Sequence, residues 1–227
     1  MEHKVATLAE LPADGAKEVV IDGAKILVGR SAGELFAVGG TCPHYGAPLV
    51  SGSIHNGRVK CQWHGACFST KTGDIEDMPG LDSLQCFPVR AEGEDVIIKV
   101  EEEQLKNTKR KRHMAKYDPS KDSRVFVVIG GGAAGSAAVE SVRASGFEGR
   151  LVWFMREKTL PLDRIKLSKQ FNSEPLRPAE FYQEFGIEYH IDTDVSLLDH
   201  EAKEVGYSHS NVFQKLKYDS ILVCTGG

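Results

Sequence analysis

The chain has 227 residues, 41% of them hydrophobic and 26% charged, which at roughly 150 residues per domain suits one large or two small globular domains and excludes fibrous or low-complexity classes. Lys and Arg total 28 against 32 Asp and Glu, for a formal net charge of -4, so no global attraction to nucleic acid or to an anionic membrane exists. The longest apolar runs, such as Val125 to Ile129, are strand-sized and far short of the ~20 residues of a bilayer span. Met1-Glu2-His3-Lys4 has neither a secretory nor a transit-peptide layout, and a cytoplasmic protein is expected. The cysteines, five in all, are an odd number that does not suit a secreted disulfide framework and points to metal or redox chemistry.

In chain order, residues 1–100 read as short strands: Glu18 to Ile21, Lys25 to Arg30, Glu34 to Val38, Val59 to Cys61, Cys86 to Arg90 and Asp95 to Val100. Asp22-Gly23, Asn56-Gly57 and Gly93-Glu94 punctuate them, and the expected unit is all-β. Residues 101–124 carry eight Lys/Arg and five Asp/Glu, the composition of a charged linker. Its basic run, Lys109-Arg110-Lys111-Arg112, reads first as a solvated stretch and only second as a nuclear address or anion patch. From 125 to 227 the pattern becomes α/β. Strand Val125 to Ile129, a helix to about Ala144 and strand Arg150 to Phe154 open it; a helix over Ala179 to Phe185 and strands at Ile187 to His190, Val195 to Leu198, Glu204 to Tyr207 and Ser220 to Val223 follow.

Within the β unit, Cys42-Pro43-His44 is followed after 16 residues by Cys61-Gln62-Trp63-His64. Each half offers one thiolate and one imidazole, so two facing loops supply four ligands. Zinc in a Cys2His2 site fits by softness and number. Zinc fingers, however, place two Cys in one half and two His in the other, whereas one Cys and one His per loop suits two irons, with both thiolates on one and both imidazoles on the other. The pattern Cys-x-His … Cys-x-x-His-Gly resembles the Rieske [2Fe-2S] family over about residues 1–100. That resemblance implies Cys42 and Cys61 on the buried iron and His44 and His64 on the outer one. Respiratory Rieske proteins add a cysteine in each loop and a Ser and a Tyr after the second His-Gly; here Ala47, Trp63, Ala66 and Phe68 stand there. Fewer hydroxyl donors to the sulfurs imply a low-potential, ferredoxin-like centre. Cys67 and Cys86 read as packing cysteines and His55 as exposed. Residues 1–100 hold nine Lys/Arg against thirteen Asp/Glu; Asp74, Glu76 and Asp77 form a candidate patch for steering a basic redox partner, with a solvated loop as the plainer reading.

In the α/β part, Val125 to Ile129 runs into Gly130-Gly131-Gly132-Ala133-Ala134-Gly135, a G-x-G-x-x-G turn between strand and helix. Gly130 suits the tight turn, Gly132 the approach of a pyrophosphate, Gly135 close helix packing, and Glu157, 22 positions past Gly135, a ribose hydroxyl. Leu160-Pro161-Leu162-Asp163-Arg164-Ile165-Lys166-Leu167-Ser168-Lys169 resembles the Pro-Tyr-x-Arg-Pro-x-Leu-Ser-Lys stretch of FAD-containing ferredoxin reductases and apoptosis-inducing-factor-like flavoproteins. By that likeness the cofactor is FAD, with Arg164 near the adenine and Lys169 near the flavin ring. Tyr218 to Gly227 resembles the strand and Thr-Gly turn that closes the first FAD segment of these reductases.

The combined pattern resembles the Rieske-containing subfamily of apoptosis-inducing-factor-like proteins. The likeness implies a multidomain electron-transfer oxidoreductase: an all-β Rieske domain at 1–100, a linker at 101–124, and at 125–227 an incomplete Rossmann-like FAD domain. In the whole enzyme NAD(P)H would reduce FAD, which exchanges single electrons with the [2Fe-2S] cluster. The second glycine fingerprint of the NAD(P)H domain is not among these residues, so the chain is expected to be truncated and inactive toward NAD(P)H alone. A free-standing Rieske electron carrier with a flavin-domain remnant is the alternative. Mitochondrial association is implied by the resemblance alone.

Overall fold

The computed structural model describes residues 1–163 and 174–226, in two compact units, Met1–His113 and Met114–Gly227. No helix among the described residues is long and apolar enough to cross a membrane.

The first unit is built of strands β1 (Glu2–Thr7), β2 (Gly15–Ile21), β3 (Ala24–Ser31), β4 (Glu34–Gly39), β5 (Ser53–His55), β6 (Arg58–Lys60), β7 (Cys67–Ser69), β8 (Ile75–Asp77), β9 (Ser83–Leu84), β10 (Val89–Glu92), β11 (Asp95–Lys99) and, after helix α1 (Glu102–Lys106), β12 (Lys109–Arg110). They form antiparallel sheets in the orders β1-β11-β10, β2-β3-β4 and β5-β6-β7-β8, with β12 paired to β9. Strand β3 is the wall between two cores. Side chains alternate along a strand, so Ile26 and Val28 pack with Phe87, Val96 and Ile98, while Leu27 faces Phe36, Val38, Leu49, Val59 and Phe68. This second core includes Cys42 and Cys61, so the expected ligand loops are rooted in packed apolar side chains.

Residues 101–124 differ from the expected free linker. They contain α1 and β12, and the division between units falls at His113/Met114. Polar composition misleads here because β12 is held by ion pairs and a two-residue ladder, neither of which leaves a hydrophobic period. Cys86 lies outside a named strand, making one isolated bridge with Val38; β10 begins at Val89 because Pro88 interrupts the run.

The second unit contains β13 (Val125–Ile129), α2 (Ala133–Ala144), β14 (Arg150–Phe154), α3 (Ala179–Glu184), β15 (Ile187–His190), β16 (Thr193–Asp199), β17 (Glu204–His209), β18 (Val212–Lys217) and β19 (Ser220–Val223). A parallel sheet runs β15-β14-β13-β19, and an antiparallel sheet runs β16-β17-β18. Parallel strands are buried on both faces. Val128, Leu151 and Trp153 pack toward α2 and α3 through Val139, Phe181 and Tyr182, whereas Val127, Ile129, Val152 and Phe154 pack with Val205 and Tyr218. Under the helices, Arg177 forms a bidentate pair with Glu140, both bonds 3.0 Å long and both side chains buried. The all-β unit followed by a partial Rossmann-like α/β unit is the fold class expected from the sequence.

Candidate metal centre and dinucleotide turn

The two Cys-His loops repeat one another in backbone detail. In the first, the Cys42 N–H donates to Ala47 O at 2.8 Å and Gly46 N–H returns to Cys42 O at 2.9 Å. In the second, which joins β6 to β7, Cys61 N–H donates to Ala66 O at 2.8 Å and Gly65 N–H returns to Cys61 O at 3.0 Å. Gly46 and Gly65 close these loops at φ 78° and 80°, a region where a side chain is strained.

The matched loops sort the four candidate donors by type. Cys42 and Cys61 are both buried, and their thiols interact directly. His44 and His64 stand together with ring centroids 4.9 Å apart, nearly perpendicular, and His64 is exposed. Tyr45 and Trp63 extend the ring cluster, at 5.6 Å and 6.4 Å from His64. Among the described residues no three His, Cys, Asp or Glu side chains converge as for a single ion. Two thiols inside and two imidazoles outside fit a two-iron cluster, in which each iron takes two protein ligands and sulfide supplies the rest.

Burial pushes the Cys42 thiol up to about 11, against an N–H donated by His44 and with the neighbouring Cys61 adding to the rise. The metal-free thiol is therefore protonated at neutral pH, and metal loading has to release its proton. Ala66 and Phe68, where hydroxyl donors would stand in a high-potential site, are fully buried.

The other polar groups and cysteines near the loops have partners or burial of their own. Asp74 is bound by Arg110 at 2.8 Å and Glu76 by Arg58 at 2.6 Å, so two of the three carboxylates in the candidate steering patch are already paired. Cys67 is buried, Cys86 donates its thiol to Lys71 O at 3.3 Å, and His55 is exposed at the end of β5.

In the second unit the glycines divide by what surrounds them. Gly130 has φ 122° and lies so close to the Cys224 carbonyl that a Cβ would collide with it. At Gly135 a Cβ would strike the Gly130 carbonyl. Gly132, the N-cap of α2, faces open space. Thus Gly130 and Gly135 serve the fold, and Gly132 leaves room at a helix N-terminus, where free N–H groups attract phosphate. The structure also brings Glu157 to the turn: its Oε2 lies 2.7 Å from where a Cβ of Gly131 would be. Gly131 escaped the sequence reading because the motif leaves that position unspecified. Trp153 was also missed; its indole N–H donates to Gly130 O at 2.8 Å and holds the turn from below. The cradle fits a dinucleotide. Arg164 and Lys169 lie outside the described residues. A cavity of about 330 Å³ lined by Arg124, Phe126, Phe147 and Asp219 opens at the start of β13 and β19, the end away from this turn.

The fold and the two sites define the class: a Rieske domain joined to a ferredoxin-reductase-like oxidoreductase segment. Residues 1–88 match the Rieske [2Fe-2S] domain and residues 124–227 match the pyridine nucleotide-disulphide oxidoreductase family; the first unit belongs to the Rieske family, and the second is similar to the pyridine nucleotide-disulphide oxidoreductases. Among curated relatives, apoptosis-inducing factor 3 of Mus musculus is 40% identical over 234 residues, covering 100% of this chain and 38% of its own length. The biphenyl dioxygenase ferredoxin subunit of Pseudomonas sp. (strain KKS102) is 31% identical over 96 residues, 42% of this chain and 88% of that protein. The benzene 1,2-dioxygenase system ferredoxin–NAD(+) reductase subunit of Pseudomonas putida is 33% identical over 105 residues, 44% of this chain and 25% of that protein. The chain thus spans well under half the length of the curated relatives that match it from end to end.

Proposed function

We propose that this chain is the electron-transfer part of an oxidoreductase in which Cys42, Cys61, His44 and His64 hold a [2Fe-2S] cluster and Gly132 and Glu157 hold FAD. The observation that carries this reading is the pair of matched loops, with thiols inside and imidazoles outside. When bound, the cluster supplies one-electron transfer, and the flavin converts between two-electron and one-electron carriers.

The chain's own residues set the conditions for that chemistry. Buried Cys42 receives an N–H from His44, which would favour the thiolate form that a bound metal requires, its proton being released to solvent. His64 stands at the surface with Tyr45 and Trp63 beside it, so the imidazole side is the one a partner protein can approach. Apolar Ala66 and Phe68 donate no hydroxyl hydrogen bond, which disfavours extra negative charge and supports a low reduction potential. In the second unit the first turn of α2 offers N–H groups to a pyrophosphate, and the Glu157 carboxylate accepts from ribose hydroxyls. Arg164 and Lys169 complete the flavin site in this reading. NAD(P)H is assigned no site among these residues, and its hydride transfer is taken to need residues beyond them.

The test is absorption and EPR of the anaerobically purified chain, oxidised and reduced, with iron, sulfide and flavin assays on the same sample. A Rieske-type signal at low potential with bound FAD is expected; a colourless zinc protein would overturn the metal assignment, and steady NADH turnover by this chain would overturn the division of labour. One observation favours a second reading: the first unit has its own two cores and the complete donor set. An intact Rieske signal without flavin would identify a ferredoxin-like carrier.

A further inference from the structure

The basic run Lys109-Arg110-Lys111-Arg112 is not simply solvated. Lys109 pairs with Leu84 and Arg110 with Ser83 in the β12–β9 ladder, and Gln85 N–H donates to Thr108 O at 2.9 Å. Thr108 can come this close because Gly39 has no side chain; a Cβ there would collide with the Thr108 carbonyl. Arg110 then reaches across, donating to Thr72 O at 2.6 Å and to Asp74 Oδ1 at 2.8 Å. The same Asp74 oxygen accepts from the fully buried Ser83 hydroxyl at 3.4 Å, and Ile75 N–H donates to Ser83 Oγ at 3.2 Å. Lys109 Nζ lies 3.8 Å from Asp82 Oδ2. Burial alone would raise the Asp74 carboxyl, but hydrogen bonds from Arg110, Thr72 and Ser83 outweigh it and leave it below its usual value.

These contacts clamp both ends of one loop. Between Asp74 and Ser83 the chain passes through Gly80, which is buried, and a Cβ on Gly80 would sit 3.0 Å from Ile75 Cδ1 and 3.8 Å from His44 Cβ. The Gly80 backbone therefore passes beside the base of the His44 side chain. A two-residue ladder is weak by itself, so the charge-assisted bonds of Arg110 supply much of the hold.

We propose that Arg110 is a positioning residue: through Asp74 and β9 it holds the loop 78–82 against His44 and so sets the solvent exposure of the imidazole side of the metal centre. The proposal rests on the ligand assignment above. The packing and hydration around a ligating imidazole tune a centre's potential, which links a residue of the expected linker to the electronics of the site.

The experiment uses the full chain and compares wild type, Arg110→Ala and Arg110→Lys by hydrogen–deuterium exchange and by EPR-monitored redox titration. Arg110→Ala is expected to keep a Rieske-type spectrum, to exchange about tenfold faster in peptides spanning 76–84 and to shift the midpoint potential, with Arg110→Lys between it and wild type. Unchanged exchange and potential in Arg110→Ala would overturn the proposal, and so would an exchange increase spread evenly over residues 1–113. If wild type shows no Rieske-type spectrum, the ligand assignment fails. Exchange in the metal-free chain then decides the clamp separately, faster exchange confined to 76–84 in Arg110→Ala supporting it and wild-type rates refuting it.

Discussion

The two sites are built on opposite plans. The proposed metal centre would take all its donors from Cys42 to His64, on two loops with the same hydrogen bonds, rooted in one core. The proposed dinucleotide site has one glycine turn, and the Gly130 end of it is packed against Cys224, far along the chain. A local, duplicated site survives changes elsewhere, whereas a distributed site depends on the closure of the whole sheet. Both units leave some apolar side chains in solvent, Val20 and Met78 in the first and Val212, Phe213, Leu222 and Val223 in the second, the kind of surface that invites association.

The sharpest break of this contrast is Cys61→Ala. It should abolish iron binding and the Rieske-type EPR signal while leaving the urea transition of the second unit in place. Gly130→Ala should do the converse. With φ 122° and a carbonyl in the way, it should cost about 3 kcal/mol or more and unfold the second unit, leaving iron content intact. Gly132→Ala sharpens the point: with open space around it, stability should change by under about 1 kcal/mol, while FAD affinity falls about tenfold in a fluorescence titration. Arg177→Met leaves Glu140 buried and unpaired, and about 3 kcal/mol should be lost from the second unit in chemical denaturation.

The smallest effect is a pH dependence. The hydrogen bond from His190 and those from Arg150, opposed by burial, hold the Glu188 carboxyl down at about 2. A carboxylate with a lowered folded-state value contributes stability above its unfolded value of about 4.3 and loses it as pH falls toward 2. Glu188 is 38% exposed, so the contribution should be under about 1 kcal/mol. Glu188→Gln should flatten the acid limb of the second unit's stability profile and leave the acid limb of the first unit unchanged.

The sequence was most readable where local pattern and final environment agree. The parallel strands β13, β14, β15 and β19 have the expected bounds; β13 and β14 are buried apolar runs between turns, and β15 and β19 were legible as short β-branched or aromatic runs. The Cys-His spacing was legible because each ligand loop is short and closed by its own glycine. The polar strand β1, Glu2-His3-Lys4-Val5-Ala6-Thr7, gave no such pattern; it pairs with β11, about ninety positions later. Strands β5, β7 and β8 are three residues each, too short to show a period, and β18 is largely exposed, so alternation has no core to select it. Glu157 was placed by an established spacing. Gly131, Trp153 and Arg110 were not legible, because each works through a contact distant in sequence.

The chain contains two tryptophans, and one stands at each site. Trp63 is 54% exposed beside His64, while Trp153 is fully buried with its indole on the Gly130 carbonyl. Each unit thus carries its own optical reporter. Emission from Trp63 should resemble that of an indole in water and be quenched by a neighbouring cluster, whereas Trp153 should emit at shorter wavelength and respond to a dinucleotide at the turn. Two single-tryptophan variants, Trp63→Phe and Trp153→Phe, would let loading of the two sites be followed separately in one unlabelled protein.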